Sequence, residues 1–381
     1  MKKNTGRGPV ISELAVRMLW TESGGRCQFA GCNEDVTRDE LTLYRLNAGN
    51  NAHIVASSSN GPRGGDKSQA LSNDIDNIML LCPKHHKLVD SNTGIYTTEK
   101  LKMMREEHNK KVAFLLNTMN YPKTKILLFK SPIKGTKKVH IDYNQAVEAV
   151  RETRMNPLDS TGVTIEIENH EDYKSPMYWE RAEKDLVFNV NQYIEPLYER
   201  FPDTILSVFP IAPIPLIIKL GFILGDKRRT NIYQKTRTPD TWEWRGKEAS
   251  NTFETQKIVR DSRLSKVALV ISLTAEIDMQ RVLSVYDADI IYCINARRKD
   301  VDCITSEEDL KLFWHEYQAV CERLKNEDRC TEVAVFPSVP VSAAFEMGRR
   351  YMIGVYPKMV IYDDDEGFVK TIEIGGGKND E

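Results

Sequence analysis

Cys82, His85, His86 and Asp90 fall within nine positions of the segment NIMLLCPKHHKLVD, and Cys27 and Cys32 form a C-x4-C pair in GGRCQFAGCNED. Two short hooks, C-x4-C and C-x2-H, are what a structural Zn²⁺ needs: four N and S ligands in a closed tetrahedron. The glycines of the first hook let two sulfurs converge on one ion. Cys27, Cys32, Cys82 and His85 are therefore the expected zinc ligands, in preference to buried thiols without a metal. A small, loop-rich domain gains folding free energy from such a clip. His86 projects elsewhere around the helix than His85, and Asp90, four residues on, shares its face. An imidazole and a carboxylate with open positions suit a catalytic divalent ion, Mg²⁺ or Mn²⁺.

His53, at the end of the expected strand NAHIVA, and Asn77, nine residues before His86, complete the set. In combination, AHI, GPRG, DNIMLLCPKHH and the following Asp resemble the HNH, or ββα-metal, nucleases over roughly residues 15–95. The resemblance implies a role for each matching position. His53 is the general base, an imidazole suited to take a proton from water near neutral pH. Asn77 fixes the loop and the orientation of His53, while His86 and Asp90 hold an ion that stabilises the phosphorane-like transition state and the leaving 3′ oxygen. Many such nucleases carry Asp or His just before the base, where this chain has Ala52; the third ligand then falls to water or Asn51. Arg63, Lys67, Lys84 and Lys87 are the expected DNA phosphate contacts.

These residues need elements to position them. The pattern predicts a helix over 9–22, strands LTLYRL and NAHIVA joined by the turn NAGN, a polar loop, a strand leading into a helix over 84–90, and an amphipathic helix over 97–119. Residues 120–164 turn polar and irregular and read as linker and entry segment. Beyond them strands and helices alternate: TILSVFP, SKVALVISLTAEI, ADIIYCINA, a helix over 306–326, TEVAVFP and PKMVIYD, the pattern of a parallel βαβ sheet. This part repeats itself. VFPIAPIPLIIKLGFIL (208–224) and VFPSVPVSAAFEMGRRY (335–351) share Val-Phe-Pro, a proline four residues after the Phe (Pro213, Pro340) and a glycine twelve after it (Gly221, Gly348).

At 381 residues the chain exceeds one core, so two domains are expected. With 53 Lys+Arg against 55 Asp+Glu it has no global basic footprint, although residues 1–120 hold 16 basic and 13 acidic side chains. The start lacks the apolar stretch of a signal peptide. The longest apolar run, IPLIIKLGFIL, is about half a membrane span and contains Lys219. A cytoplasmic protein without membrane contact is expected, with Cys293, Cys303, Cys321 and Cys330 as core thiols rather than disulfides.

In open α/β sheets, ligands bind beyond the carboxyl ends of the strands, where helix N-termini offer free N–H groups to anions. The loops after VFP and after VALVISL lie there. VFPIAPIPLIIKLG, YQKTRTPDTWEW, VALVISLTAEI and VFPSVPVSAAFEMG…VIYD are similar to a SAVED domain, the fused pair of CARF-like halves that senses cyclic oligonucleotides, over roughly 165–375. HNH followed by SAVED resembles the effector nucleases of CBASS anti-phage systems. The resemblance implies degradation of double-stranded DNA, switched on when a cyclic di- or trinucleotide drives self-association into higher oligomers. The expected fold is an α+β zinc-containing ββα-metal domain (1–119), a linker (120–164), and an α/β SAVED domain (165–381) of two Rossmann-like halves, about 165–250 and 262–375. Candidate ligand contacts are Pro213 and Pro340, Ser272, Thr274 and Ser338, the stacking residues Trp179, Trp242 and Trp244, and the cations Lys219 and Arg237. Two rival readings are a ligand-sensing DNA-binding regulator without cleavage, in which His53 and Asn77 have no task, and an ungated restriction-type nuclease.

Overall fold

The computed structural model describes residues 6–134, 138–168, 171–261 and 265–376, and the chain divides into two compact units between Asn120 and Tyr121. In the first unit Ser12 caps the helix Glu13–Glu22 by accepting from the Ala15 N–H. Strand Asn50–His53 pairs antiparallel with Ile78–Leu81, setting His53 opposite Ile78. All four residues of Ile78–Leu81 are buried, and the chain then enters the helix Pro83–Ser91, with Pro83 at its first position. This strand–strand–helix unit packs with Leu19, Cys27, Ile54, Val89 and Leu101 around one small core. Helix Thr98–Asn117, capped by Thr97, lends that core Leu101 and Met104, and its Arg105 reaches Glu22 and Asp76.

LTLYRL is not a strand, although its alternation reads as one. Asp39 accepts from the N–H groups of Leu41 and Thr42 and from the Thr42 hydroxyl, folding the segment into a tight turn with Leu43 at φ 59°. Among the described residues its only β contact is the isolated bridge between Arg45 and Arg38, and Leu41, Leu43 and Tyr44 stay exposed.

Among its described residues the second unit holds two large sheets and the short hairpin Thr236–Arg237 with Asp240–Thr241. One has Lys123–Lys130 at its centre, parallel to Ile205–Ile211 on one side and to Asn156–Pro157 and Val163–Glu166 on the other, with Thr230–Ile232 beyond Ile205–Ile211. The expected linker thus supplies the central strand: Ile126, Leu127, Leu128 and Phe129 are buried, and helix Tyr143–Glu152 packs Ala146, Ala149 and Val150 against this sheet. The other sheet runs Phe253–Val259, Ile290–Ala296, Val267–Ser272, Glu332–Ser338, Lys358–Asp364, Phe368–Ile374. Its inner four strands are parallel and its two edges antiparallel.

The sequence repeat is physical. Phe209 stacks on Tyr233 (4.3 Å) and meets Trp242 edge-on (5.2 Å); Phe336 stacks on Tyr362 (4.6 Å) and meets Phe368 edge-on (5.0 Å). Each Val-Phe-Pro strand therefore carries the same aromatic triad into its own half.

Candidate metal centre, cleft and crevice

The two hooks converge. Ligand atoms of Cys27, Cys32, Cys82 and His85 all lie within 4.8 Å of one another, with Cys82 Sγ 3.2 Å and Cys27 Sγ 3.8 Å from His85 Nδ1. Burial pushes the Cys27 thiol up to about 12, so thiolates here require a compensating cation. Burial also lowers His85, favouring the neutral imidazole that ligation needs, and Phe29 stacks on its ring at 4.1 Å. Three sulfurs and one nitrogen fit a closed zinc site. Cys293, Cys303, Cys321 and Cys330 are buried apart from it.

His53, His86 and Asp90 line a single cleft of about 680 Å³. His53 Nε2 is 2.9 Å from the Ser72 carbonyl oxygen, which can only accept. Nε2 is therefore the protonated nitrogen, and among the described residues Nδ1 has no partner, the arrangement a general base requires. Asn77 is buried and clamps the chain just past His53: its Oδ1 accepts from the Val55 N–H (2.9 Å), and its Nδ2 donates to the carbonyls of Val55 (2.8 Å) and Leu71 (3.1 Å). His86 Nε2 lies 3.3 Å from Asp90 Oδ2, one helical turn apart on Pro83–Ser91. Both are partly exposed, and this N/O pair fits a divalent cation that keeps open positions.

Ala52 faces the core and offers no donor, while Asn51 shares the other face of the strand with His53. Asn51 lines the cleft, its Oδ1 accepting from the Trp20 indole N–H at 3.0 Å. Arg63 departs from its expected role as a phosphate contact. It donates to the carbonyls of Ile54 and Val89 and to Asp90 Oδ1 (2.8 Å), pinning the Asp90 carboxylate. Lys67, Lys84 and Lys87 remain exposed.

In the second unit the loops after Val267–Ser272 and Glu332–Ser338 meet. The Ser338 carbonyl accepts from the N–H groups of Leu273 and Thr274, its hydroxyl lies 2.8 Å from that of Thr274, and Ser272 Oγ accepts from the Ile277 N–H. Thr274 and Ser338 line a recess of about 270 Å³ together with Ile214, Arg281 and Asp363. Asp363 accepts from the Tyr173 hydroxyl and has Lys134 Nζ at 3.6 Å; burial raises its carboxyl against both partners. Nothing in the sequence pattern singles out this trio, whose members lie far apart in the chain.

Other expected ligand contacts are placed differently. Pro213 and Pro340 do open their helices, but Pro215 has no N–H to offer, and both Ser342 N–H and hydroxyl bond to Gln234 Oε1. Trp179 is buried and donates to the Tyr173 carbonyl, and Trp242 is buried beside Phe209. Trp244 packs half-buried on the main core; Lys219 is buried and paired with Glu183 at 2.6 Å. Arg237 is exposed on the short hairpin formed by Thr236–Arg237 and Asp240–Thr241. The three tryptophans look like stacking platforms in sequence, yet core packing claims them first. Among the described residues no helix is long and apolar enough to cross a membrane.

The family model described as HNH endonuclease matches residues 27–93, and that of the SMODS-associated and fused to various effectors sensor domain, SAVED, matches residues 190–374. No curated protein matches the chain. Among solved structures, the Acinetobacter baumannii Cap4 SAVED/CARF-domain containing receptor with the cyclic trinucleotide 2′3′3′-cAAA is similar at TM-score 0.44 and 13% identity, over 81% of this chain and 66% of that one. The Moraxella osloensis Cap4 SAVED/CARF-domain containing receptor is similar at TM-score 0.41 and 13% identity, over 82% of this chain and 71% of that one. The chain is an HNH endonuclease domain joined to a SAVED sensor domain.

Proposed function

We propose that the protein is a cyclic-oligonucleotide-activated, metal-dependent endonuclease that degrades double-stranded DNA in anti-phage defence of the CBASS kind. The observation that carries this reading is His53: its Nε2–H is tied to Ser72 and it lines one cleft with His86 and Asp90. Water entering the cleft gives a proton to His53 Nδ1 as its oxygen bonds to phosphorus and the P–O3′ bond breaks. Asn77 holds the strand end from which His53 acts, and Arg63 fixes the Asp90 carboxylate beside His86. A Mg²⁺ or Mn²⁺ ion on His86 and Asp90 would supply Lewis-acid stabilisation of the developing charge.

The gating ligand is proposed to enter the recess bearing Thr274, Ser338 and Asp363. At about 270 Å³ the recess is below the roughly 300–1,000 Å³ of sites for whole drug-sized molecules, so only part of a cyclic di- or trinucleotide would enter it. Such a ligand shifts the protein only if one state binds it better, and a self-associated active state is the proposed favoured one. Nuclease residues would lie within 1–120 and sensor residues within 121–381, the expected linker being part of the second unit.

The test is supercoiled plasmid with Mg²⁺ or Mn²⁺ and a panel of cyclic di- and trinucleotides. Cutting that requires one panel member and is lost in His53→Ala supports the proposal. No cutting under any condition favours a DNA-binding regulator, and equal cutting without ligand favours a restriction-type enzyme.

A further inference from the structure

We propose that Arg7 is a substrate-contacting residue of the cleft, presented by a strap that lies outside the matched HNH segment. The inference rests on the nuclease reading above and extends it to the scissile phosphate. The strap is fixed at three points: Arg7 bridges Ser58, the Gly8 N–H donates to the Ser57 carbonyl (2.8 Å), and the Ser12 N–H donates to Asn73 Oδ1 (2.7 Å). Gly8 makes the closest approach. A Cβ at this position would lie 2.3 Å from Ser72 Oγ and 2.9 Å from the Gln69 carbonyl oxygen, so the segment seats only with glycine. Ser72 is the residue whose carbonyl orients His53. The strap and the base are therefore built on the same support.

Arg7 lines the cleft with His53, His86 and Asp90, and among the described residues it is the one cation in that wall. Its Nε donates to Ser57 Oγ at 3.3 Å, which sets the guanidinium plane, and its two terminal amino groups have no partner among the described residues. A fork with both amino groups free matches two non-bridging phosphate oxygens. Arg63 cannot serve there, being spent on two carbonyls and Asp90. As water adds to phosphorus, charge grows on those non-bridging oxygens, and a donor fixed beforehand stabilises it without reorganising.

The full-length protein carries the test, in two measurements. Without added Mg²⁺ or Mn²⁺, anisotropy of a fluorescein-labelled 30-base-pair duplex, titrated across NaCl concentrations, should show the slope of log K against log[salt] falling by about 1 in Arg7→Gln and staying at the wild-type value in Arg7→Lys. With Mg²⁺ and the panel member that supports plasmid cutting, Arg7→Gln should lower kcat roughly 10²-fold at saturating DNA, and Arg7→Lys should recover part of it. Gly8→Val, which unseats the strap, should reproduce the reduced salt slope. Wild-type slope and wild-type kcat in Arg7→Gln would overturn the inference. If the wild type cuts nothing under any condition, the nuclease reading fails, while the salt slope still decides whether Arg7 meets DNA. Absence of duplex binding by the wild type overturns both.

Discussion

Gly221 and Gly348 are each other's counterparts in the repeat, and each lies against the backbone of the other's helix. A Cβ on Gly221 would lie 2.1 Å from the Phe345 carbonyl oxygen, and one on Gly348 would lie 1.8 Å from that of Ile218. Helices Ile214–Leu224 and Val341–Arg349, one from each half, thus cross in direct backbone contact, which ties the two sheets into one unit.

Replacing either glycine by alanine must push the helices apart. Overpacking of this kind costs about 1–3 kcal/mol, so Gly221→Ala and Gly348→Ala should each lower the urea midpoint of the second unit. Once one methyl has separated the helices the other finds more room, and the double variant should cost less than the sum of the two. Strict additivity would mean that the contacts are independent.

Chelation separates the units. The core of the first unit is small, and Cys27 and Cys82 belong to it, so removing a zinc ion held by them should unfold residues 6–120 while the second unit keeps its melting transition. Differential scanning calorimetry with and without a strong chelator, alongside metal content by mass spectrometry, reads both. Cys82→Ser should act as chelation does, and one unchanged transition with full zinc loss would exclude a structural role for the ion.

Much of this site is legible in sequence because its chemistry is local. Cys82, His85, His86 and Asp90 are spaced by a single helix, and helix geometry alone decides which of them share a face. The strands TILSVFP, ADIIYCINA and TEVAVFP are near-continuous apolar runs, as strands buried on both faces must be. What stays hidden is non-local. Arg63 resembles any loop cation until the carbonyls of Ile54 and Val89 are seen around it. Lys123–Lys130 is bracketed by polar residues that read as linker, although its centre is buried by strands and helices distant in the chain.

Asp309 gives the second unit an acid limit. It is fully buried and accepts from the N–H groups of Ser250 (2.6 Å), Asn251 (2.9 Å), Thr305 (2.9 Å) and Ser306 (3.2 Å). Burial alone would raise this carboxyl, but the N–H donors overrule it and hold it below the usual value. A carboxyl lowered by folding contributes stability above its unfolded value, about 3.9, and loses that contribution as pH falls through the lower folded value. Asp309→Asn should cost about 1.5–3 kcal/mol near pH 7, and the gap to wild type should narrow below about pH 4. Denaturant melts of both proteins from pH 7 to pH 3 check this; a gap that does not change with pH would assign the loss to packing.

Asp363 sets the electrostatics of the recess proposed for the ligand. Its carboxylate lies with Asp364 in the wall while holding Lys134 at 3.6 Å, so the same group repels an incoming phosphate and occupies a cation that could meet it. Asp363→Asn keeps an acceptor for the Tyr173 hydroxyl and removes both effects. Affinity for the activating cyclic nucleotide should therefore rise several-fold by isothermal titration calorimetry, with the gain shrinking at high salt, where such charge terms are screened. Lys134→Ala should weaken binding and erase the benefit of Asp363→Asn in the double variant. Weaker binding in Asp363→Asn, with the fold intact, would instead make Asp363 a direct ligand contact, one that accepts hydrogen bonds from a base rather than opposing its phosphate.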